Sequence, residues 1–181
     1  MHYSNLVIVK REEHFDLDAA VEAAMGPHEN DGGFWDFYQI GGRWTGAFDG
    51  YDPEKDPANI KVCALCAGSG TRTDMTVANG CNGCNGTGKA VEWPTQWKRH
   101  DGDVIPVSEL TQEHWEKFHR FVLPDGYGVQ GGEKYIPWDG DVHGHFLELP
   151  KPPLEWIKKQ FGTEPDYEGA VYVAVVVDNH V

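Results

Sequence analysis

All four cysteines of this 181-residue chain lie between positions 63 and 84. They form two CxxC pairs, Cys63 with Cys66 and Cys81 with Cys84. One pair can place two thiolates on one side of a metal ion. A second pair completes the tetrahedron that Zn²⁺ adopts with four sulfurs at about 2.3 Å. The spacing therefore predicts one structural zinc ion with Cys63, Cys66, Cys81 and Cys84 as ligands and no open position for catalysis.

Glycines follow both pairs at the same spacing, in the segments Cys66-Ala-Gly-Ser-Gly70 and Cys84-Asn-Gly-Thr-Gly88. Glycine reaches positive φ without steric cost, so these positions suit a tight turn that directs backbone amides towards thiolates. Two disulfides are the first alternative, which the lack of a secretion signal disfavours. Redox-active pairs are the second, although a redox CxxC is typically single and close to a βαβ unit.

The two CxxCxGxG repeats resemble half of the cysteine-rich zinc-binding region of DnaJ-type chaperones, which carries four repeats and two zinc sites. The resemblance covers residues 63–88. The chain has no His-Pro-Asp tripeptide, the motif by which a J-domain stimulates its ATPase partner, so co-chaperone activity is not expected. What the resemblance implies is the geometry of the zinc knuckles and contact with a protein or peptide.

The chain is strongly acidic, with 15 Lys and Arg against 29 Asp and Glu and a formal charge of −14. This charge repels phosphate polyanions and disfavours nucleic acid as a partner. Residues 56–92 are balanced, with three basic and three acidic side chains, so the excess lies elsewhere. A finger that reads DNA is expected to be basic.

Apolar runs in the chain are short. None approaches the roughly 20 residues that span a bilayer, and the first residues lack the basic and apolar regions of a signal peptide. We therefore expect no membrane association and a cytoplasmic location, in the host cytoplasm if the protein is phage-encoded.

The remaining pattern predicts an α+β fold. Residues 6–9 and 170–177 have strand character, and the second run lacks polar alternation, as in a central strand covered on both faces. We expect these strands to pair in the middle of one sheet with a ferredoxin-like plan. The polar, proline-containing connection that precedes the cysteines predicts an inserted zinc module at residues 56–92 and a core domain of residues 1–55 and 93–181.

Three helices are predicted from apolar spacing and capping residues. The first starts at Asp16 and stops at Gly26. The second is capped by Ser108 or Thr111, and its apolar stripe extends to Phe121 or Val122. The third follows two prolines, runs through Phe161 and stops at Gly162.

The segment around Gly41 and Gly42 is distinctive. Aromatic runs on both sides of this pair predict a β-hairpin. The segment is similar to small uncharacterised bacterial and phage proteins. As a ligand site it would offer close backbone approach at the glycines, a planar cation at Arg43 and stacking at Tyr38 and Trp44. The alternative is a structural turn with the aromatic rings in the core.

A second candidate site lies near residue 143. Asp141, His143 and His145 could hold a catalytic metal or supply a general base, because residues two apart on a strand share a face. The alternative is a glycine-rich surface loop.

These features lead to three functional hypotheses. The first is a zinc-stabilised, non-catalytic accessory factor that binds a protein, with a host protein as the target of a phage factor. The second is a metal-dependent or nucleotide-binding enzyme that uses Arg43 and the Asp141, His143 and His145 segment. The third is an acidic inhibitor that mimics DNA. The sequence leaves the oligomeric state open.

Overall fold

A computed structural model describes residues 1–12, 14–29, 34–72, 80–124, 127–136, 145–162 and 171–180, with backbone alone for 133–136 and 145–147. The strands are β1 His2–Arg11, β2 Phe37–Ile40, β3 Ile60–Val62, β4 Lys89–Val91, β5 Val104–Pro106, β6 Arg120–Val122, β7 Val129–Gln130, β8 Glu133–Ile136, β9 His145–Glu148 and β10 Val171–His180. The helices are α1 Leu17–Met25, α2 Gln112–Glu116 and α3 Leu154–Phe161. The chain forms two compact units: the sheet unit (Met1–Tyr51 and Arg99–Val181) and the cysteine unit (Asp52–Lys98).

The sheet unit is built on a mixed sheet of six strands in the order β2-β10-β1-β6-β7, with β5 also paired to β10. β1 and β10 run antiparallel from the pair His2 and His180 to the pair Arg11 and Val171, whereas β1 and β6 are parallel. The predicted pairing of the first and last strands in the middle of the sheet is confirmed.

Apolar side chains cover both faces of these central strands. Leu6 and Val176 belong to one buried cluster, which includes Trp115 of α2 and Ile157 of α3. Alternate residues, such as Val7, point to the second cluster, which includes side chains of α1. The double coverage explains the apolar run in β10, because a strand with two buried faces needs no polar alternation.

Two of the predicted helices have the expected ends. The Asp16 carboxylate caps α1 by accepting bonds from the amides of Asp18 and Ala19 at 3.0 and 3.2 Å. The amide of Gly162 closes α3 on the carbonyl of Lys158 at 2.8 Å. Both caps satisfy backbone groups that a helix end leaves without partners.

The second predicted helix is shorter than expected. Thr111 caps it as predicted, but α2 ends at Glu116, and Phe121 and Val122 belong to β6. Both side chains are fully buried, because pairing with β1 sends them to opposite apolar clusters. The extended backbone therefore buries two large residues where a helix would have placed them on one stripe.

The predicted hairpin at Gly41 and Gly42 is wrong. β2 ends at Ile40, and a 3₁₀ turn follows at Gly42–Trp44. The amides of this loop donate to buried carboxylates: Arg43 to Asp178 at 3.1 Å and Gly46 to Asp103. These bonds satisfy the buried charges and hold the chain in a loop instead of a returning strand.

The α+β class is confirmed, whereas the ferredoxin-like topology is not. The strand that follows α1 in the six-stranded sheet, β2, lies beside the last strand, β10.

Candidate metal centre

The four cysteines form one buried cluster. All four are free thiols, and their sulfur atoms lie within 4.8 Å of one another. The Sγ atoms of Cys63 and Cys81 are 3.8 Å apart, and those of Cys66 and Cys84 are 3.7 Å apart. A tetrahedral ion with metal–sulfur bonds of about 2.3 Å has sulfur–sulfur edges of about 3.8 Å. The cluster therefore fits a four-thiolate zinc site and is too open for disulfides, whose sulfurs are about 2.05 Å apart.

The two knuckles, residues 63–70 and 81–88, repeat the same backbone turn. The residue after the second cysteine of each pair has a left-handed backbone, with φ of 48° at Ala67 and 49° at Asn85. The hydroxyl of the residue two positions after it then donates to the carbonyl of that cysteine. The Ser69 bond is 2.8 Å long and the Thr87 bond is 2.7 Å long. Each knuckle thus holds its sulfurs through its own local hydrogen bonds.

Glycine is required where the two knuckles cross. The Cys63 amide donates to the Gly88 carbonyl at 2.9 Å, and the Cys81 amide donates to the Gly70 carbonyl at 2.8 Å. A Cβ at Gly70 would lie 2.3 Å from the carbonyl oxygen of Gly86. Reciprocal hydrogen bonds therefore bring the backbones too close for any side chain.

Very little apolar packing surrounds the sulfurs. Among the described residues, the cysteines form a cluster of their own, against which the partly buried Ala90 packs. The antiparallel pair β3 and β4 closes the base, with Ile60 opposite Val91. Since so little hydrophobic area is buried, a bound ion would supply much of the free energy that folds this unit.

The metal-free thiols differ in acidity. Burial raises the pKa of Cys81 to about 11. Burial acts in the same direction on Cys84, but hydrogen bonds outweigh it and bring the pKa of that thiol to about 7. One such bond comes from the Gly88 amide, 3.2 Å from the Cys84 sulfur. An incoming cation thus meets one thiol that is readily ionised at neutral pH.

The predicted ligand site at Gly41 and Gly42 consists of residues with packing roles in the structure. A Cβ at Gly42 would lie 2.4 Å from the Cβ of Asp178. Tyr38 donates its hydroxyl to the Glu22 carboxylate, and burial together with that carboxylate raises the pKa of Tyr38. Trp44 packs against the apolar cluster that contains Leu6, and the Arg43 side chain is exposed. Ligand binding at this loop stays a prediction.

The second predicted site cannot be placed. Asp141 and His143 lie outside the described residues, and of His145 only the backbone, at the start of β9, is described. The hypothesis of an enzyme that uses Arg43 together with this segment therefore stays a prediction.

One group of titratable residues was missed by sequence reasoning. His2 Nδ1 lies 2.8 Å from Asp178 Oδ1, and His180 Nδ1 lies 2.9 Å from Asp36 Oδ1. The predicted pairing of the first and last strands could have revealed this group. If that pairing is extended by a few residues, its register sets His2 opposite His180.

Comparison with protein-family models, curated proteins and solved structures finds no match for this chain. None of the helices among the described residues has the length and apolar character needed to span a bilayer.

Proposed function

We propose that this protein is a zinc-stabilised, non-catalytic factor that binds another protein through its cysteine unit. The tetrahedral arrangement of four buried thiols supports a structural ion. Four sulfur ligands leave no position for a substrate or a reactive water. The site can then stabilise a surface without performing chemistry.

Exposed apolar side chains on the cysteine unit carry the proposal. Seven large hydrophobic residues are exposed in the described part of the chain. Four of them lie in Asp52–Lys98: Val62, Leu65, Val91 and Trp93, exposed by 68%, 57%, 43% and 73%. We refer to these four residues as the apolar surface. Such a concentration on a unit with little core is typical of a protein-contact site.

The knuckles hold part of this surface in place. Val62 and Val91 share a face of the β3–β4 pair, because Ile60 lies opposite Val91 and residues two apart on a strand point the same way. Leu65 lies between the first two ligands, and its Cδ1 would be 2.5 Å from a Cβ at Gly83 in the other knuckle. Metal binding would therefore fix side chains that contact a partner.

The charge of the unit agrees with a protein partner. Residues 56–92 have no basic excess, so they lack the electrostatic footprint of a nucleic-acid reader. Reduced thiols persist in a reducing compartment, which supports a cytoplasmic location. For a phage-encoded protein this is the host cytoplasm, and the partner is a host protein.

The test is affinity purification of the full chain from host lysate, with the Trp93→Ser and Val62→Ser variants alongside. We expect one partner to co-purify with the native chain and to be lost from both variants, since each removes exposed apolar area. Tyr127→Ser is the matched control, because Tyr127 is a 42% exposed apolar residue of the sheet unit. A partner retained by Trp93→Ser and Val62→Ser but lost with Tyr127→Ser would refute the proposal.

A further inference from the structure

His2 and His180 face each other across the two central strands. They are directly opposite in the antiparallel register of β1 and β10, and their ring centroids are 5.1 Å apart. Two imidazoles that share one ion at about 2.1 Å, with an angle of 90° to 109° at the metal, have centroids about 4.5 to 5.2 Å apart. The observed separation fits a shared ion.

Each of the two imidazoles contacts a carboxylate through its Nδ1 atom. His2 Nδ1 contacts Asp178 Oδ1 at 2.8 Å, and His180 Nδ1 contacts Asp36 Oδ1 at 2.9 Å. Histidines that ligate metals typically donate their second ring nitrogen to a carboxylate, which fixes the ring and makes the ligating nitrogen more basic. Here two neighbouring histidines have this arrangement on adjacent strands.

The hydrogen bonds also define which nitrogen is available. Since an ionised carboxylate can only accept, each Nδ1 donates its proton and the neutral ring keeps a lone pair on Nε2. For His180 this assignment has independent support, because the Met1 nitrogen, a donor, lies 3.0 Å from Nε2. That contact is at the surface, so a cation can displace it at little cost.

The Asp178 carboxylate is fixed on its other side as well. Its side chain has no exposure to solvent, and its second oxygen accepts the Arg43 amide at 3.1 Å. The Gly42 backbone closes the remaining space against it. The His2 ring is thus oriented by an anion that cannot turn away.

We propose that His2 and His180 bind a divalent transition-metal ion of the Zn²⁺, Ni²⁺ or Cu²⁺ class through their Nε2 atoms, with water in the remaining positions. Imidazole nitrogens suit these metals better than Mg²⁺ or Ca²⁺, which prefer oxygen. The site lies in the sheet unit and is independent of the function proposed for the cysteine unit.

The test is titration of the zinc-loaded full chain with Ni²⁺, followed by calorimetry and by paramagnetic broadening of histidine ring signals. We expect one further equivalent to bind, with broadening at His2 and His180. Ni²⁺ that displaced zinc from the thiolates would be recognised by sulfur-to-metal charge-transfer absorption. The first outcome supports the proposal, whereas nickel confined to the thiolates overturns it.

Substitutions localise the ion. His2→Gln and His180→Gln should each weaken binding at least tenfold, and Asp36→Asn, which removes only the orienting carboxylate, should weaken it about tenfold. His180 is 42% exposed and Asp36 is 58% exposed, so these two variants should fold even if His2→Gln does not.

His100→Gln is the matched control. His100 Nδ1 also lies near a carboxylate, 3.2 Å from Asp49 Oδ2, but its ring stacks on Tyr51 instead of facing a second imidazole. We expect no change in nickel binding. Undiminished binding to both His180→Gln and Asp36→Asn would overturn the proposal.

Discussion

Gly88 lies at the closest approach of the two knuckles. A Cβ there would be 2.2 Å from the carbonyl oxygen of Gly68, and φ is 75°. The backbone oxygen cannot move aside without breaking the crossed hydrogen bonds that align the sulfurs. A single methyl group at this position therefore acts on the metal site itself.

We expect Gly88→Ala to weaken zinc binding by more than tenfold, because the knuckles must separate to admit the methyl group. Competition with a chromophoric chelator measures the affinity. Gly50→Ala is the control, since φ is 77° there but a Cβ would meet no atom within 4 Å. It should cost about 1 kcal/mol of stability in the sheet unit and leave zinc binding unchanged. Equal zinc affinities in the two variants would contradict the claim that the close approach of the two knuckles requires glycine at position 88.

Removing one ligand tests the metal as the source of order in the cysteine unit. We expect Cys81→Ser to release zinc and to shift the amide signals of β3, β4 and the two knuckles to random-coil values, because little apolar packing remains to hold the unit. Signals of β1 and β10 should stay where they are. Metal analysis and an amide correlation spectrum provide the measurement, and a variant with full zinc content would show that Cys81 is not a ligand.

At the scale of elements, the loop of residues 41–46 is fixed by charge instead of by strand pairing. The fully buried Asp103 carboxylate accepts bonds from the Thr45 hydroxyl at 2.8 Å, the His100 amide at 2.9 Å and the Gly46 amide. Three donors and one charge make this contact a strong anchor. The loop would lose its anchor with that carboxylate.

We expect Asp103→Asn to destabilise the sheet unit by about 2 to 3 kcal/mol. The NH₂ group of asparagine would face the hydrogen-bond donors that the carboxylate now accepts from, and the buried donors would lose a partner. The exposed Asp101, two residues earlier, is the control, and Asp101→Asn should change stability by less than about 0.5 kcal/mol. Urea unfolding monitored by tryptophan fluorescence compares the two. Equal unfolding midpoints for the two variants would contradict the proposed role of Asp103 in anchoring the loop.

At the scale of the whole molecule, the two compact units have different kinds of core. The sheet unit buries two apolar clusters against its central strands, whereas the cysteine unit is organised around four sulfurs. Hydrophobic burial does not depend on metal, and thiolate coordination does. The two units should therefore respond to different conditions.

Chelation should consequently separate two unfolding transitions. With excess chelator we expect the cysteine unit to lose its structure at ambient temperature, while the thermal transition of the sheet unit shifts by less than a few degrees. Calorimetry with and without chelator tests this, and one shared transition that moves as a whole would contradict it.

Acidification should have a similar effect. Below about pH 7 the Cys84 sulfur also has to lose a proton before it can bind the metal, so zinc affinity should fall more steeply with decreasing pH than it does above pH 7.

Some features could be predicted because their cause lies within a few residues. The Asp16 cap, the Gly162 stop and the repeated knuckle glycines depend on local backbone geometry, which adjacent residue types specify. The predicted hairpin was wrong because Gly41 and Gly42 suit a hairpin turn and a loop equally well. The loop is selected by the contact with Asp178, which is 136 positions after Gly42 in sequence.

The amino-acid sequence alone determined the α+β class, the pairing of the two apolar terminal strands and the clustering of four cysteines. Periodicity and short-range spacing carry that information. Tertiary structure decided that Phe121 and Val122 are extended, that residues 41–46 form a loop around carboxylates and that His2 faces His180. Each of these depends on contacts between residues far apart in the chain, whose register follows from packing the whole sheet and not from any local pattern.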